Sequence, residues 1–163
     1  MCTRSGDIDP AIVSFLMEKE GWDLKETCSF LNKNCGVLGI SGLSSDFRDL
    51  ENAAGGGHDR SKLALERFAH MVKHYIGAYT ATMNGVDALI FTAGLGENSA
   101  YMRKKICDGL DYLGIEIDED KNYTRGVEAN VSRKGARVQT LVIPTNEELM
   151  IAQDTRDIVE NLK

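Results

Sequence analysis

The feature that most constrains this chain is the apolar run at residues 86–92, followed at once by Ala93-Gly94-Leu95-Gly96-Glu97-Asn98 and a helix-compatible stretch at 99–113. A short apolar run of this kind reads as a buried strand, and the glycines carry the chain through a tight turn into the helix. A buried strand needs partners on both sides and a helical layer over it. That requirement selects an α/β layered domain over a helical bundle or a β-sandwich.

The remaining segments agree with such a layering. Asp9-Pro10 is a helix-start signal, with Asp as cap and Pro at the first helical position, and Gly21 suits the end of a helix over 10–20. Asp23 caps a second helix in which Leu24, Cys28 and Leu31 share a face, and an apolar, glycine-containing stretch follows at 36–40. Residues 44–50 begin a short helix or turn. After Gly55-Gly56-Gly57, the residues Leu65, Phe68, Val72, Tyr75, Ile76 and Tyr79 recur at helical spacing and predict a core helix over 59–83. Further strands are expected at 115–117, 127–131 and 138–143, and a last helix at 146–162. No repeat, low-complexity segment or linker interrupts the chain, so residues 1–163 are expected to form one domain.

The formal charge of −6 argues against sequence-independent nucleic-acid binding, which relies on a basic surface. Cys2, Cys28, Cys35 and Cys107 form no C-x-x-C pair and read as reduced thiols. Without an apolar run of roughly 20 residues or a secretory leader, a soluble, cytoplasmic protein with no membrane contact is expected.

The turn at 93–98 is the first place to look for chemistry. Glycines let backbone approach a ligand closely, and free N–H groups at a helix start attract phosphate. The same glycines also serve simply to pack strand against helix. Gly94, Gly96 and Ser99 approximate a dinucleotide fingerprint, with Glu116 or Asp118 about twenty residues on, although Ser99 stands where a small Gly or Ala normally permits close packing. Further along, Pro144-Thr145-Asn146-Glu147-Glu148 contains a capping box with Thr145 as cap and Glu148 as its partner. Glu147 then has no capping duty and is free either to face a metal-bound phosphate or to sit in solvent. Arg4 and Arg48 are candidate phosphate or carboxylate ligands or plain surface residues. His70 and His74, one turn apart, read as solvated or packed side chains rather than as a metal pair.

Four motifs in order lift these alternatives. Thr3-Arg4-Ser5-Gly6-Asp7-Ile8-Asp9-Pro10, Ser45-Asp46-Phe47-Arg48, Phe91-Thr92-Ala93-Gly94-Leu95-Gly96-Glu97-Asn98 and Pro144-Thr145-Asn146-Glu147-Glu148 stand at the intervals found in acetate kinases. Ile76-Gly77-Ala78-Tyr79-Thr80 adds to them. The chain resembles the acetate and propionate kinase family over essentially its whole length. That resemblance implies a ribonuclease-H-like C-terminal domain of the actin and sugar-kinase superfamily, a mixed sheet flanked by helices. It also implies phosphoryl transfer between ATP and a short carboxylate, giving an acyl phosphate and ADP with Mg2+. By the same resemblance Arg4 matches the catalytic arginine, and Asp46, Phe47 and Arg48 match residues around the adenosine. Gly94, Leu95, Gly96, Glu97 and Asn98 match the loop beneath the nucleotide, and Glu147 matches a magnesium-associated glutamate. A homodimer is implied as well. The family's N-terminal motifs, including a His-x-Gly-x-Gly loop, are not in this sequence, so a truncated product or fragment of negligible activity and weak ATP binding is expected. A non-catalytic self-association module with vestigial nucleotide binding is the rival reading.

Overall fold

The computed structural model describes residues 1–162. Its contacts gather into two compact units, Met1–Tyr79 and the chain from Thr80 onward.

Unit 1 is helical: α1 (Ala11–Glu20), α2 (Leu24–Lys33), α3 (Gly36–Ser41), α4 (Phe47–Gly55) and α5 (Asp59–Met83), the last running past the boundary. Asp9 Oδ1 accepts the Ala11 N–H at 2.9 Å and starts α1, and Gly21 ends it at φ 70°. Asp23 and Glu26 form a reciprocal capping box on α2, with bonds of 2.7 and 2.8 Å. The face α2 turns inward differs from the expected one. Thr27 is buried, with Phe30 and Leu31 half-buried, whereas Leu24 and Cys28 are exposed. Burying Thr27 is cheap because its hydroxyl donates to the Asp23 carbonyl at 2.9 Å. The apolar stretch at 36–40 is helix α3, and its first residue is a glycine because a Cβ there would stand 2.5 Å from the Met1 carbonyl oxygen.

The core of this unit is Val37, Phe47, Leu50, Ala64, Leu65 and Ala69, with Phe47 edge-on to Phe68 at 4.7 Å. Helix α5 has the expected bounds but is a core helix only in its first half. Its buried residues are Ser61, Ala64, Leu65 and Ala69, while Tyr75 and Tyr79 are exposed.

Unit 2 holds β1 (Ala88–Phe91), α6 (Ala93–Asn98), α7 (Ala100–Cys107), two 3-10 turns, β2 (Ala129–Asn130), β3 (Gln139–Val142) and α8 (Glu147–Asn161). The sheet order is β1-β3-β2. β1 runs parallel to β3 with Phe91 opposite Val142, and β2 runs antiparallel to β3, so the sheet is mixed as expected. Phe91, Met102, Ile106, Leu110, Ile115, Val131, Val138 and Val142 make its core.

Three expectations are corrected here. The helix expected to reach 113 stops at Cys107, where Asp108 turns extended and Gly109 takes φ 73°. Residues 115–117 contribute two isolated bridges, Ile115 to Val138 and Ile117 to Ser132, because one is parallel and the other antiparallel and no continuous ladder can form. The expected strand at 127–131 shrinks to two residues. Because β2 is antiparallel, the three strands do not form the parallel βαβαβ half to which a dinucleotide fingerprint belongs.

Candidate functional site

In unit 2 the segment after β1 is itself a short helix, α6, rather than an open turn. Thr92 is extended and Ala93 then takes φ 59°, a left-handed conformation that costs a non-glycine residue about 1–2 kcal/mol. Strain of this kind persists only where neighbouring structure imposes it. The two glycines that follow differ in duty. A Cβ on Gly96 would lie 3.3 Å from the Phe91 carbonyl carbon, so Gly96 lets α6 pack on β1. A Cβ on Gly94 would meet nothing within 4 Å, so the fold leaves open space there. Asn98 Nδ2 donates back to the Gly94 carbonyl at 2.9 Å and braces the loop. Ser99, the third position of the dinucleotide alternative, is the cap of α7 and accepts the Met102 N–H at 3.0 Å.

The loop is held from below by Arg103, which is fully buried. Its Nε and Nη2 donate to Asn122 Oδ1 and the Asn122 carbonyl at 2.8 and 2.6 Å, and Nη2 also reaches the Thr124 carbonyl at 2.8 Å. Its Nη1 donates to the carbonyls of Gly96 and Glu97 at 2.8 and 3.0 Å. Burial pushes the guanidinium pKa down from its ordinary value. Asn122 completes the clamp by donating to the Ala100 carbonyl at 2.8 Å. Sequence reading passed over Arg103. Its signal was a single cation on the face that also carries Met102, Ile106 and Cys107, all buried.

The other end of the loop reaches the start of α8. The Thr145 N–H and hydroxyl both donate to Glu97 Oε1, at 2.9 and 3.1 Å. Thr145 is therefore not the cap of α8. Asn146 is, with Oδ1 accepting the Leu149 N–H at 3.1 Å. The expected capping box is corrected accordingly: with Leu149 at the third position, Glu148 has no box to complete. Glu147 and Glu148 are both exposed in the first turn, and neither carboxylate has a hydrogen bond or ion pair among the described residues. An exposed, uncommitted carboxylate fits Mg2+, which takes one or two carboxylates together with phosphate oxygens and keeps several waters.

Unit 1 carries the other expected residues. The backbone around Arg4 is stitched to its neighbours, with the Ser5 N–H on the Leu31 carbonyl and the Cys35 N–H on the Thr3 carbonyl, both at 2.8 Å. The Arg4 guanidinium is exposed and has no partner among the described residues. It lines a largely apolar cavity of about 500 Å³ together with Leu16, Phe30, Arg67, Met71 and Tyr75. At this cavity the Tyr75 hydroxyl donates to Asp7 Oδ2, and that bond holds the phenol pKa above its usual value.

Asp46, Phe47 and Arg48 have local duties. Asp46 caps α4, accepting the Arg48 N–H at 2.8 Å, and its Oδ2 accepts from Arg48 Nη2 at 2.6 Å. The paired guanidinium lowers the Asp46 pKa to about 2. Phe47 is in the core, and Arg48 keeps Nη1 uncommitted at the surface.

Comparison with known proteins adds identity to this geometry. The model of the "Acetokinase family" matches residues 1–153. The chain is 61% identical over 160 residues to an acetate kinase of Desulfitobacterium hafniense, covering 98% of this chain and 40% of the relative. It is 59% identical over 160 residues to one of Methanosarcina acetivorans, covering 98% and 39%. The solved acetate kinase of Porphyromonas gingivalis superposes with a TM-score of 0.90 at 45% identity, covering 98% of this chain and 40% of that one. A propionate kinase of Francisella tularensis gives 0.85 at 43% identity, covering 94% and 39%. The chain thus spans about 40% of the length of the curated relatives it matches.

Proposed function

The chain belongs to the acetokinase family, and from that membership we propose that it is the nucleotide- and metal-binding part of an ATP-dependent carboxylate kinase of the actin and sugar-kinase superfamily. The reaction is reversible transfer of a phosphoryl group between ATP and acetate or a similar short carboxylate. The observation that carries this reading is Gly94. It is a glycine that the surrounding protein does not require for space, in a strained and clamped loop at the end of a parallel strand. Space kept free in a rigid loop is what close approach of a phosphate chain needs.

Each assigned residue has a role that its geometry permits. The loop Gly94–Asn98 lies beneath the nucleotide, and Asp46, Phe47 and Arg48 border the adenosine, with Arg48 as the member that keeps Nη1 open at the surface. Arg4 keeps its charge uncommitted on an anchored backbone, as a group that neutralises charge developing on a transferring phosphoryl must. Glu147 takes Mg2+, which when bound supplies neutralisation of phosphate charge. The complete kinase is proposed to be a cytoplasmic homodimer, with the acyl pocket in the part of the relatives that this chain does not span. No helix among the described residues is long and apolar enough to cross a membrane.

Positioning catalysis falls steeply when half of the positioning groups are missing. This chain alone is expected to transfer no measurable phosphate from acetyl phosphate to ADP. Titration of Mg2+ into the chain with ADP tests the metal assignment: Glu147→Gln should weaken the Mg2+-dependent heat about tenfold and Glu148→Gln by less than about twofold. Equal losses in the two variants would remove Glu147 from its assigned role.

A further inference from the structure

Glu97 sits inside the loop assigned to the nucleotide, yet its side chain is already engaged. Oε1 accepts two hydrogen bonds from one residue, the Thr145 N–H and the Thr145 hydroxyl, at 2.9 and 3.1 Å. The Glu97 main chain is engaged as well, because its carbonyl accepts from buried Arg103 at 3.0 Å. Glu97 is thus held at the backbone by the core of unit 2 and reaches out with its carboxylate to the connection between β3 and α8. Thr145 lies 48 residues away in sequence. Two residues beyond it stands Glu147, at the first position of α8.

We propose that Glu97 is a positioning residue that couples the glycine loop to the first turn of α8, acting through Thr145 rather than by contact with the nucleotide. Its partner set supports this in three ways. The acceptor is charged and both donors come from one residue, which holds Thr145 in place with a geometry that a single bond would not define. The residue held is the one just before the Asn146 cap, so its orientation sets where α8 begins. The chain from Ile143 to Asn146 makes few other attachments: the Ile143 N–H donates to the Phe91 carbonyl at 2.9 Å, at the end of β1. β1 therefore ends in two links to the same connection, a backbone bond from its last residue and the Glu97 carboxylate from the loop that follows. The consequence, which rests on the metal role proposed for Glu147, is that the loop and the metal-associated carboxylate keep a constant spacing. A shift of one is transmitted to the other.

The test uses the 163-residue chain and reads amide hydrogen exchange by NMR without ligand, then binding of ADP with and without Mg2+. Removing a charged acceptor of this kind corresponds to about a tenfold rise in local opening. Glu97→Ala is accordingly expected to speed exchange at Thr145 and Leu149 about tenfold. Glu97→Gln, which keeps an oxygen acceptor at Oε1, should stay within about twofold of the parent chain. Coupling is reciprocal. Thr145→Val, which removes only the hydroxyl donor, should therefore speed exchange at Ser99, whose N–H closes α6 on the Leu95 carbonyl. An unchanged Ser99 amide in Thr145→Val, or an unchanged Thr145 amide in Glu97→Ala, overturns the coupling.

In the binding arm, Glu97→Ala is expected to weaken only the Mg2+-dependent part of ADP binding, with Glu97→Gln restoring it. If both variants weaken Mg2+-free ADP binding equally, Glu97 contacts the nucleotide itself and the proposal fails. If the parent chain gives no heat with Mg-ADP, the nucleotide assignment fails, while the exchange data still decide the coupling.

Discussion

Helices α7 and α8 belong to the same unit and are anchored in opposite ways. α7 presents four buried residues, including an arginine that holds the loop before it through Nη1 and the segment at Asn122 and Thr124 after it through Nε and Nη2. α8 buries none, and Leu149, Met150, Ile151, Ile158 and Val159 stand half or more exposed or close to it. Among the described residues its attachments are at the first turn, in the Asn146 cap and in Thr145 on Glu97. The difference teaches where this fold places its rigidity: at the glycine loop and at the residue pair that meets it, rather than along the whole length of its elements.

The contrast is easiest to break at Arg103. Replacing it with Ala leaves five carbonyl or amide acceptors without their donor and opens a cavity, which should cost about 3–5 kcal/mol in a denaturant melt. A loss below about 1 kcal/mol would mean that the loop is not held from below. The two loop glycines sharpen the comparison at a finer scale. Gly96→Ala pushes a methyl against Phe91 and should cost about 1–2 kcal/mol. Gly94→Ala enters open space with ordinary helical backbone and should leave stability unchanged or raise it by up to about 1 kcal/mol. On α8, Ile151→Ser and Ile158→Ser should each stay within about 0.5 kcal/mol, because neither side chain leaves a buried site. A larger loss that shrinks on dilution of the protein would reveal that another copy covers this face, and sedimentation would confirm it.

The smallest expected effect concerns an exposed pair in unit 1. Asp46 has a folded pKa of about 2 against an ordinary 3.8, so its contribution is complete above that ordinary value and is lost as pH falls toward 2. Asp46→Asn should flatten the acid limb of the stability curve over that interval, with the small contribution of the pair missing at neutral pH and the two proteins converging as pH falls toward 2. An acid limb unchanged by the substitution would mean that Arg48 does not hold the carboxylate.

Local signals were legible where the chemistry is local. The Asp23 cap, the bounds of α5, β1 and the central residues of β3 all follow from patterns within a few residues. Sequence misplaced the cap of α8 because Thr145 satisfies the motif as written. Its hydroxyl is instead taken by Glu97, 48 residues away, and spacing alone does not reveal that competition. The glycine loop was recognised as a unit, but not the separate duties of Gly94 and Gly96, which depend on the distance to Phe91. Arg103 escaped notice because a charged residue in a helix is usually solvated. The bridges at Ile115 and Ile117 were read as a strand because β-branched residues at alternate positions suit one, whereas their partners run in opposite directions.

Calorimetric titration of Mg-ADP into this chain and its Gly94→Ala variant tests the central claim most directly, with thermal melts run alongside. The account predicts saturable heat for the parent chain and affinity at least about tenfold weaker in the variant, at an unchanged or higher melting temperature. Equal affinity in the two proteins would contradict it, because the open face of Gly94 would then not be where the phosphate chain lies.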